Sequence, residues 1–297
     1  MRKIMLLLTY TVTTLILLIN AFADTIVTDG LVSYWTFDRN TINNGTVQDV
    51  WGENDATIVG NPTLTKGSVK RGIRLDGIGD YVRLPNISNF GSRIGSYTFE
   101  AWFKTTQNSW SAIYQVNEPP CVRHNRGYGI LINAAWDDGW DNIIVTKKDS
   151  ILIQRTNKVG EGGCAGGSST REYRVSDGEW HQVVYTTRAP TDEELALLRF
   201  GARGICSTQR TYIDNVPIAE GVGCTSGPLR SYTESIYLGA INDDGKALGF
   251  FNGVFDEVRI YDRALTHEEV TRNYDIVLSV EAGHKLSTVW GSLKMRR

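Results

Sequence analysis

The segment Phe255–Thr266, with the sequence FDEVRIYDRALT, decides the fold of this 297-residue chain. Apolar and polar residues alternate from Phe255 to Tyr261, which predicts a strand with one buried face. Thr266 is then placed as a helix N-cap, and Glu269 three residues later completes a capping box. The pattern therefore predicts a closing strand that is followed at once by a helix.

Similar short alternations recur along the chain, with turn residues between them. They predict strands at 31–37, 55–59, 72–76, 80–84, 97–104, 111–116, 128–135, 142–147, 151–155, 171–175, 180–187, 209–213, 216–219, 235–239 and 255–261. Many short strands at this spacing are typical of an antiparallel β-sandwich. A chain of this length can bury one sizeable core, so we expect one domain.

Five further segments carry recognisable motifs: GLVSYWTFD at 30–38, GIRLDGIGDYV at 72–82, YTFEAWF at 97–103, DGEWHQVV at 177–184 and TYIDNVPI at 211–218. With the closing strand, they resemble in order the LamG-like jelly-roll domains of the concanavalin A-like lectin/glucanase superfamily. The resemblance implies an all-β, antiparallel jelly-roll sandwich with a short C-terminal helix. Residues 191–200 have no counterpart in that pattern, and the acidic turn after Thr191 predicts one inserted helix.

The N-terminus is typical of a secretory signal peptide. Arg2 and Lys3 precede an apolar run, and Ala21-Phe22-Ala23 has the small-x-small pattern of a cleavage site. An uncleaved membrane anchor is the alternative. We predict a signal peptide at 1–23, a LamG-like domain at 24–278 and a basic C-terminal tail at 279–297, which is either a poorly ordered terminus or a sorting tag. The expected location is secreted or cell-surface, with no membrane span after cleavage.

The charge of the mature chain excludes some partners. The 31 basic residues less Arg2 and Lys3 leave 29 against 33 acidic residues, a net charge of −4. This balance gives no electrostatic footprint for nucleic acid or for an anionic membrane.

Four cysteines in an exported chain, Cys121, Cys164, Cys206 and Cys224, predict two disulfides. If Asp214-Asn215 is a two-residue hairpin turn, one bulge brings Cys206 directly opposite Cys224. Cys121 and Cys164 are then left to pair. The alternatives are a Cys164–Cys206 bridge or a metal site, although no Cys-x-x-Cys spacing favours metal.

Catalytic patterns are weak in this sequence. Laminarinase-type hydrolases of the resembled superfamily place acidic residues two apart on one strand, because a nucleophile and an acid must flank one glycosidic bond. The chain lacks the Glu-x-Asp-x-x-Glu pattern. His181, next to Trp180 on a predicted strand, is expected to have a structural role. We therefore predict a protein that is not an enzyme.

Calcium is the one cofactor that the resemblance suggests. Relatives can hold a structural ion where the first strand, the following loop and the last strand meet, and the matching residues are Asp38, Asp49 and Asp256. The alternative is that Asp38 and Asp256 cap turns or accept backbone hydrogen bonds. A second acidic group, Asp137, Asp138 and Asp141, is more simply a solvated turn.

Carbohydrate sites combine an aromatic platform with amides, carboxylates and arginine for the hydroxyls. The candidates here are Trp110, Trp136, Asp138, Trp140, Asn142 and Arg155. With the resemblance, they predict an exported, non-catalytic recognition module for carbohydrate or glycosylated surfaces. A protein-binding adhesive or structural module, and a glycan hydrolase or lyase with an unrecognised site, remain alternatives.

Overall fold

The computed structural model describes residues 25–87, 96–117, 127–136, 144–159, 163–198, 205–225, 236–243 and 246–294. The chain divides into two compact units. The larger unit is Gly30–Leu265, and the smaller one combines Met1–Asp29 with Thr266–Arg297. The predicted signal peptide lies outside the described residues.

The larger unit consists mainly of β-strands. In chain order they are β1 Leu31–Trp35, β2 Ile42–Asn43, β3 Thr46–Val47, β4 Ala56–Val59, β5 Thr63–Lys66, β6 Arg71–Asp76, β7 Tyr81–Leu84, β8 Tyr97–Thr105, β9 Ser111–Asn117, β10 Gly127–Trp136, β11 Ile144–Val159, β12 Gly163–Glu172, β13 Trp180–Arg188, β14 Ile205–Ile213, β15 Val216–Thr225, β16 Ile236–Leu238, β17 Ile241–Asp243, β18 Lys246–Leu248 and β19 Asn252–Tyr261.

Two antiparallel sheets form a sandwich. One has eight strands in the order β15-β14-β13-β8-β19-β6-β5, with β1 paired to β19 beside β6. The other has nine strands in the order β12-β11-β10-β9-β16-β7-β4-β3-β2, and β17 and β18 form a separate pair. One hydrophobic core joins the sheets, with Phe99 and Phe103 from one and Ile113 and Ile130 from the other. The predicted all-β sandwich is confirmed.

The closing strand β19 departs from strict alternation. Phe255, Val258 and Ile260 all belong to the core, although a period of two would place Phe255 and Ile260 on opposite faces. The register against β8 shifts between Asp256 and Arg259, and Glu257 has a positive φ of 51°. A bulge at this point therefore returns the apolar side chains to the core.

The β14–β15 hairpin confirms one disulfide. Asp214 and Asn215 form its turn, with φ values of 51° and 64°, as a type I′ hairpin turn requires. The register shifts after Thr211, and Cys206 then stands opposite Cys224, to which it is bonded. Of the other two cysteines, Cys121 lies outside the described residues and the side chain of Cys164 is not described. Their pairing therefore stays a prediction.

Two α-helices complete the described chain. Helix α1, Asp192–Ala196, confirms the inserted helix predicted within 191–200, and it begins with a capping box between Thr191 and Glu194. Helix α2, His267–Lys294, begins with the capping box between Thr266 and Glu269. Within the smaller unit, the backbone N–H of Val27 donates to Oδ1 of Asn273 at 2.9 Å.

Helix α2 is longer than the sequence suggested. It extends for 28 residues, so the helix continues through 279–294, where we expected an irregular tail. No proline follows Thr266 to end it. In the part of the chain that the structure describes, no helix has both the length and the apolar character needed to cross a membrane.

Candidate functional site

Two of the predicted ligand residues, Trp110 and Trp136, lie at one end of the β10–β11 hairpin. Trp136 ends β10 and pairs with Ile144, the first residue of β11. Thr146 lies two residues further on, and its Oγ1 accepts a hydrogen bond from the backbone N–H of Trp110 at 3.4 Å. The fold thus brings Trp110 beside the hairpin end that carries Trp136. Asp138, Trp140 and Asn142 belong to the connection 137–143, which lies outside the described residues, and the side chain of Trp136 is not described.

The ring of Trp110 is half-buried and firmly supported. Gly249, with a φ of +62°, lies directly beneath it, because a Cβ at that position would come within 2.2 Å of Trp110 Cζ3. Trp110 and Leu248 also pack on a small apolar cluster of Ala112, Leu131, Ala134, Leu152 and Ile241. Leu131 and Leu152 alternate with the core residues Ile130, Ile132, Ile151 and Ile153, so the cluster lies on the opposite face of the nine-stranded sheet. A half-buried ring held in this way can present an apolar surface without being mobile.

Arg155 does not lie with the other candidates. It pairs with Tyr128 near the start of β10, whereas Trp136 ends the same strand. Trp136 lies eight positions after Tyr128 along β10, which is roughly 26 Å at about 3.3 Å per residue. Arg155 and Trp136 therefore cannot contact the same sugar ring.

A polar recess lies where the edge strands of the two sheets, β12 and β15, meet. Its polar lining includes Arg171, Gln209, Thr211 and Glu220, none of which we predicted. The space open to the centre of a water molecule is about 20 Å³, which suits about one water and no sugar ring. The hairpin register that paired Cys206 with Cys224 also places Thr211 opposite Ala219. The same register could therefore have predicted that the recess residues of β14 and β15 lie side by side.

Asp49, one of the three predicted calcium ligands, is buried and saturated with backbone donors. Its Oδ1 accepts the N–H groups of Tyr34, Trp51 and Gly52 at 2.9–3.0 Å, and its Oδ2 accepts that of Asn54 at 3.2 Å. The carboxylate therefore organises the loop between β3 and β4. A cation at this position would have to displace those donors.

Asp38 and Asp256 hold the turn between β5 and β6. The donors to Asp38 are Lys70 Nζ and the backbone N–H of Arg71, both at 3.2 Å, and the donors to Asp256 from this turn are Ser68 Oγ and the backbone N–H of Val69, both at 2.9 Å. Among the described residues, no group of three or more His, Cys, Asp or Glu side chains could hold a metal ion. The three aspartates therefore do not fit one shared ion, and calcium binding stays a prediction.

A buried charged cluster, which we call the Arg259 cluster, lies on the face of the eight-stranded sheet opposite the core. Arg259 donates to Glu100 Oε1 at 2.8 Å and also to Glu257, and Gln182 Nε2 donates to Glu100 at 2.9 Å. The guanidinium lies 4.5 Å from the centroid of the Tyr34 ring, and the Tyr34 hydroxyl donates to Glu257. All three charged side chains are almost wholly buried.

The carboxylates of this cluster are enclosed rather than poised for reaction. Burial raises the pKa of Glu257, and the opposing charge of Arg259 only partly offsets this effect. Burial, with the nearby charge of Glu257, also raises the pKa of Asp256. Because Glu100 and Glu257 are turned toward Arg259 inside the protein, they cannot flank a glycosidic bond of an external polysaccharide.

His181 links two turns of the eight-stranded sheet. Its Nδ1 lies 2.7 Å from Asp214 in the β14–β15 turn, and its Nε2 lies 3.0 Å from Asp177 in the turn before β13. Burial lowers the pKa of His181, but hydrogen bonds to both carboxylates outweigh that effect, so the pKa is raised above its ordinary value. This arrangement suits a structural role, because both ring nitrogens are occupied.

Comparison with known proteins identifies the fold. A laminin G family model, described as "Concanavalin A-like lectin/glucanases superfamily", matches residues 76–271, which is more than half of the chain. A comparison with curated proteins finds no sequence match.

Several solved structures share the fold at low sequence identity. Domain 4 of a GH43 extracellular arabinanase from Geobacillus stearothermophilus, solved in complex with arabinotriose, is 20% identical with a TM-score of 0.50, and the match covers 82% of this chain and 98% of that domain. The binding domain of Paraclostridial Mosquitocidal Protein 1 is 13% identical with a TM-score of 0.52, covering 82% of this chain and 52% of that one. Trypanosoma rangeli sialidase is 16% identical with a TM-score of 0.54, covering 85% and 34%. The chain therefore spans only about half of the toxin domain and a third of the sialidase.

Proposed function

The chain belongs to the concanavalin A-like lectin/glucanases superfamily, and from that premise we propose that it is an exported, non-catalytic module that binds carbohydrate or glycosylated surfaces. The proposed binding surface is the end of the β10–β11 hairpin. It comprises Trp110, Trp136 and the residues of the connection between the strands, Asp138, Trp140 and Asn142.

The position of Trp110 is the observation that carries this proposal. Its half-buried ring is supported by Gly249 and the small cluster behind it, so a ligand would meet a surface that is already ordered. Preorganised aromatic surfaces bind with a smaller entropic penalty than mobile ones. The neighbouring carboxylate and amide candidates, Asp138 and Asn142, are suited to hydrogen-bond the hydroxyls of a sugar.

Two further observations support the non-catalytic part of the proposal. The buried carboxylates Glu100, Asp256 and Glu257 are occupied by Arg259 and by backbone or hydroxyl donors. The arabinanase match is to a separate domain of that enzyme, and that domain was solved with arabinotriose. Both fit a module that holds a glycan without cleaving it.

The direct experiment is a glycan array probed with the chain that begins at Asp24, with and without a calcium chelator. We expect binding to a subset of glycans. Loss of glycan binding in chelator would support the prediction that calcium is bound. Unchanged glycan binding would contradict that prediction. Silence on all glycans, with retention on a protein partner, would favour the adhesive alternative, whereas release of reducing ends from a polysaccharide would establish a hydrolase.

Single substitutions locate the surface. Trp110→Ala and Trp140→Ala should each weaken binding to the array's best oligosaccharide about tenfold, as expected when an aromatic contact worth about 1.4 kcal/mol is lost. Val216→Ala removes an exposed apolar side chain at the distant β14–β15 turn and should change nothing. If all three variants bind the oligosaccharide with the wild-type affinity, the binding site does not lie at this end of the hairpin.

A further inference from the structure

Trp51 is exposed to an extent that packing does not explain. Its side chain lies in the loop between β3 and β4 and is 51% exposed. Among the large hydrophobic residues exposed in the described ranges, it is the only aromatic one. Large aromatic rings are usually well buried in a domain of this size, so its exposure calls for a reason.

The exposure does not serve to hydrate the indole nitrogen. Trp51 Nε1 donates to the backbone carbonyl of Leu31 at 2.8 Å, inside the protein. Since this nitrogen is the only polar atom of the side chain, what remains toward solvent is apolar ring surface. The same hydrogen bond also restrains the orientation of the ring.

The loop that carries Trp51 is fixed as well. The Asp49 carboxylate accepts the backbone N–H of Trp51 at 3.0 Å and that of Gly52 at 2.9 Å. Gly52 lies so close to β1 that a Cβ there would be 2.4 Å from the carbonyl oxygen of Val32. The ring and the loop are therefore already ordered before a ligand stacks on Trp51. Binding then carries a smaller entropic cost.

Two exposed carboxylates stand in the same loop, at Glu53 and Asp55. Oδ1 of Asp55 accepts the backbone N–H of Asp49 at 2.9 Å, which fixes this carboxylate relative to the loop. Carboxylates accept hydrogen bonds from sugar hydroxyls. Because both are negative, they disfavour ligands that carry a carboxylate or a sulfate of their own.

We infer that Trp51, Glu53 and Asp55 form a second carbohydrate subsite, separate from the β10–β11 hairpin end, that selects uncharged sugars. The indole takes the C–H face of a neutral sugar ring, and the two carboxylates take its hydroxyls. This inference rests on the proposed carbohydrate-binding function and names a ligand class for it.

The test uses isothermal titration of the chain from Asp24 with the neutral oligosaccharide that it binds best on the array. Trp51→Ala should weaken that affinity about tenfold, and Trp51→Phe should weaken it less, because a phenyl ring keeps part of the stacking surface. Ile78→Ala removes another exposed apolar side chain, 79% exposed, and should leave the affinity unchanged. The unfolding midpoint of Trp51→Ala should stay close to that of the wild type, since the ring is not in the core and only its hydrogen bond to the Leu31 carbonyl is lost.

Two further readouts address position and charge. Saturating oligosaccharide should slow the oxidation of Trp51 by N-bromosuccinimide, as mapped by mass spectrometry. Glu53→Gln should bring the affinity for a uronic acid oligosaccharide closer to that for the neutral one.

The outcomes separate this inference from the broader proposal. If the wild type binds no glycan, both fail together. If the wild type binds and Trp110→Ala weakens binding while Trp51→Ala and Trp51 oxidation are unaffected, the second subsite is wrong and the proposed function stands. Weakened binding in Trp51→Ala, with ligand protection of the ring, supports the subsite.

Discussion

The Arg259 cluster holds its arginine and glutamates in the protein interior, whereas the group formed by Arg188, Glu194 and Thr208, which we call the Glu194 cluster, lies at the surface. In the Arg259 cluster, Arg259 and Glu100 are 1% and 0% exposed. In the Glu194 cluster, Arg188 donates two hydrogen bonds to Glu194, whose side chain is 24% exposed, and Thr208 on β14 donates a third. Both clusters thus pair a guanidinium with a carboxylate, but in different solvent environments.

The comparison separates two uses of charge. In the buried Arg259 cluster, each charge has lost its hydration, so removing one partner leaves the others uncompensated. At the surface, water replaces a missing partner, and the Glu194 cluster serves mainly to hold helix α1 beside β13 and β14. Burial, rather than the type of ion pair, therefore decides how much each cluster matters to stability.

The largest expected effect follows from removing the buried arginine. Arg259→Ala leaves Glu100 and Glu257 buried without their cation and should lower the free energy of unfolding by about 3–5 kcal/mol. Chemical denaturation followed by intrinsic fluorescence measures this loss. The matched control is the triple variant Arg259→Met, Glu100→Gln, Glu257→Gln, which removes all three charges together and should lose less. A loss below about 1 kcal/mol in Arg259→Ala would contradict the contrast between the clusters.

An intermediate effect is expected for His181, which lies between the two extremes of exposure. Its raised pKa means that its contribution to stability is fully present below its ordinary pKa of 6.5 and declines as the pH rises through the raised value. Asp177 acts in the opposite direction. Although burial opposes the effect, hydrogen bonds from Glu179 and His181 lower its pKa, so its contribution is lost as the pH falls below 3.8.

Denaturation midpoints of the wild type and His181→Gln, measured from pH 5 to pH 9, test this pair. The difference between the two proteins should be largest near pH 5–6 and should shrink toward alkaline pH. Asp177→Asn removes the carboxylate that lies 3.0 Å from Nε2 of His181. The stability of this variant should depend less on pH than that of the wild type. Parallel pH profiles for wild type and His181→Gln would show that the histidine does not titrate with folding.

The smallest effect is expected at the surface. Hydrogen bonds from Arg188, the largest contribution, lower the pKa of Glu194 to about 2, so its contribution is present above about pH 4.5 and is lost as the pH falls toward 2. Glu194→Gln should cost about 1 kcal/mol or less at pH 7 and less than that at pH 2, where the folded-state carboxyl is about half protonated. Val216→Ala provides a surface control. A loss at pH 7 as large as that of Arg259→Ala would remove the distinction between buried and surface clusters.

Much of the fold could be predicted because the relevant signals are local. The Asp214-Asn215 turn fixed a hairpin register, and that register led to the Cys206–Cys224 disulfide. The capping box at Thr266 and the acidic turn after Thr191 likewise marked both helix starts. Each of these features depends on residues that are near in sequence or joined by one turn.

The candidate site was only partly predictable. Trp110 and Trp136 were identified by residue type, and the fold brings their segments together. Arg155 was grouped with them because it is nearby in the chain. In the structure, Arg155 lies opposite Tyr128 near the start of β10, whereas Trp136 lies at the end of that strand. The exposed Trp51 was missed, since residue type alone does not tell a buried tryptophan from an exposed one.

Sequence by itself determined the antiparallel sandwich, the β14–β15 hairpin with its disulfide, and the helix starts, because side-chain alternation, turn chemistry and capping act over a few residues. Only the tertiary structure decided that Glu100 and Arg259, 159 residues apart, would share a buried ion pair and that the β19 bulge would put Asp256 against the β5–β6 turn. It also decided that Trp51 would remain in solvent while Trp110 rests on Gly249. These outcomes depend on which distant strands are adjacent and which surfaces they cover, and burial of that kind is a property of the assembled sheets rather than of any short segment.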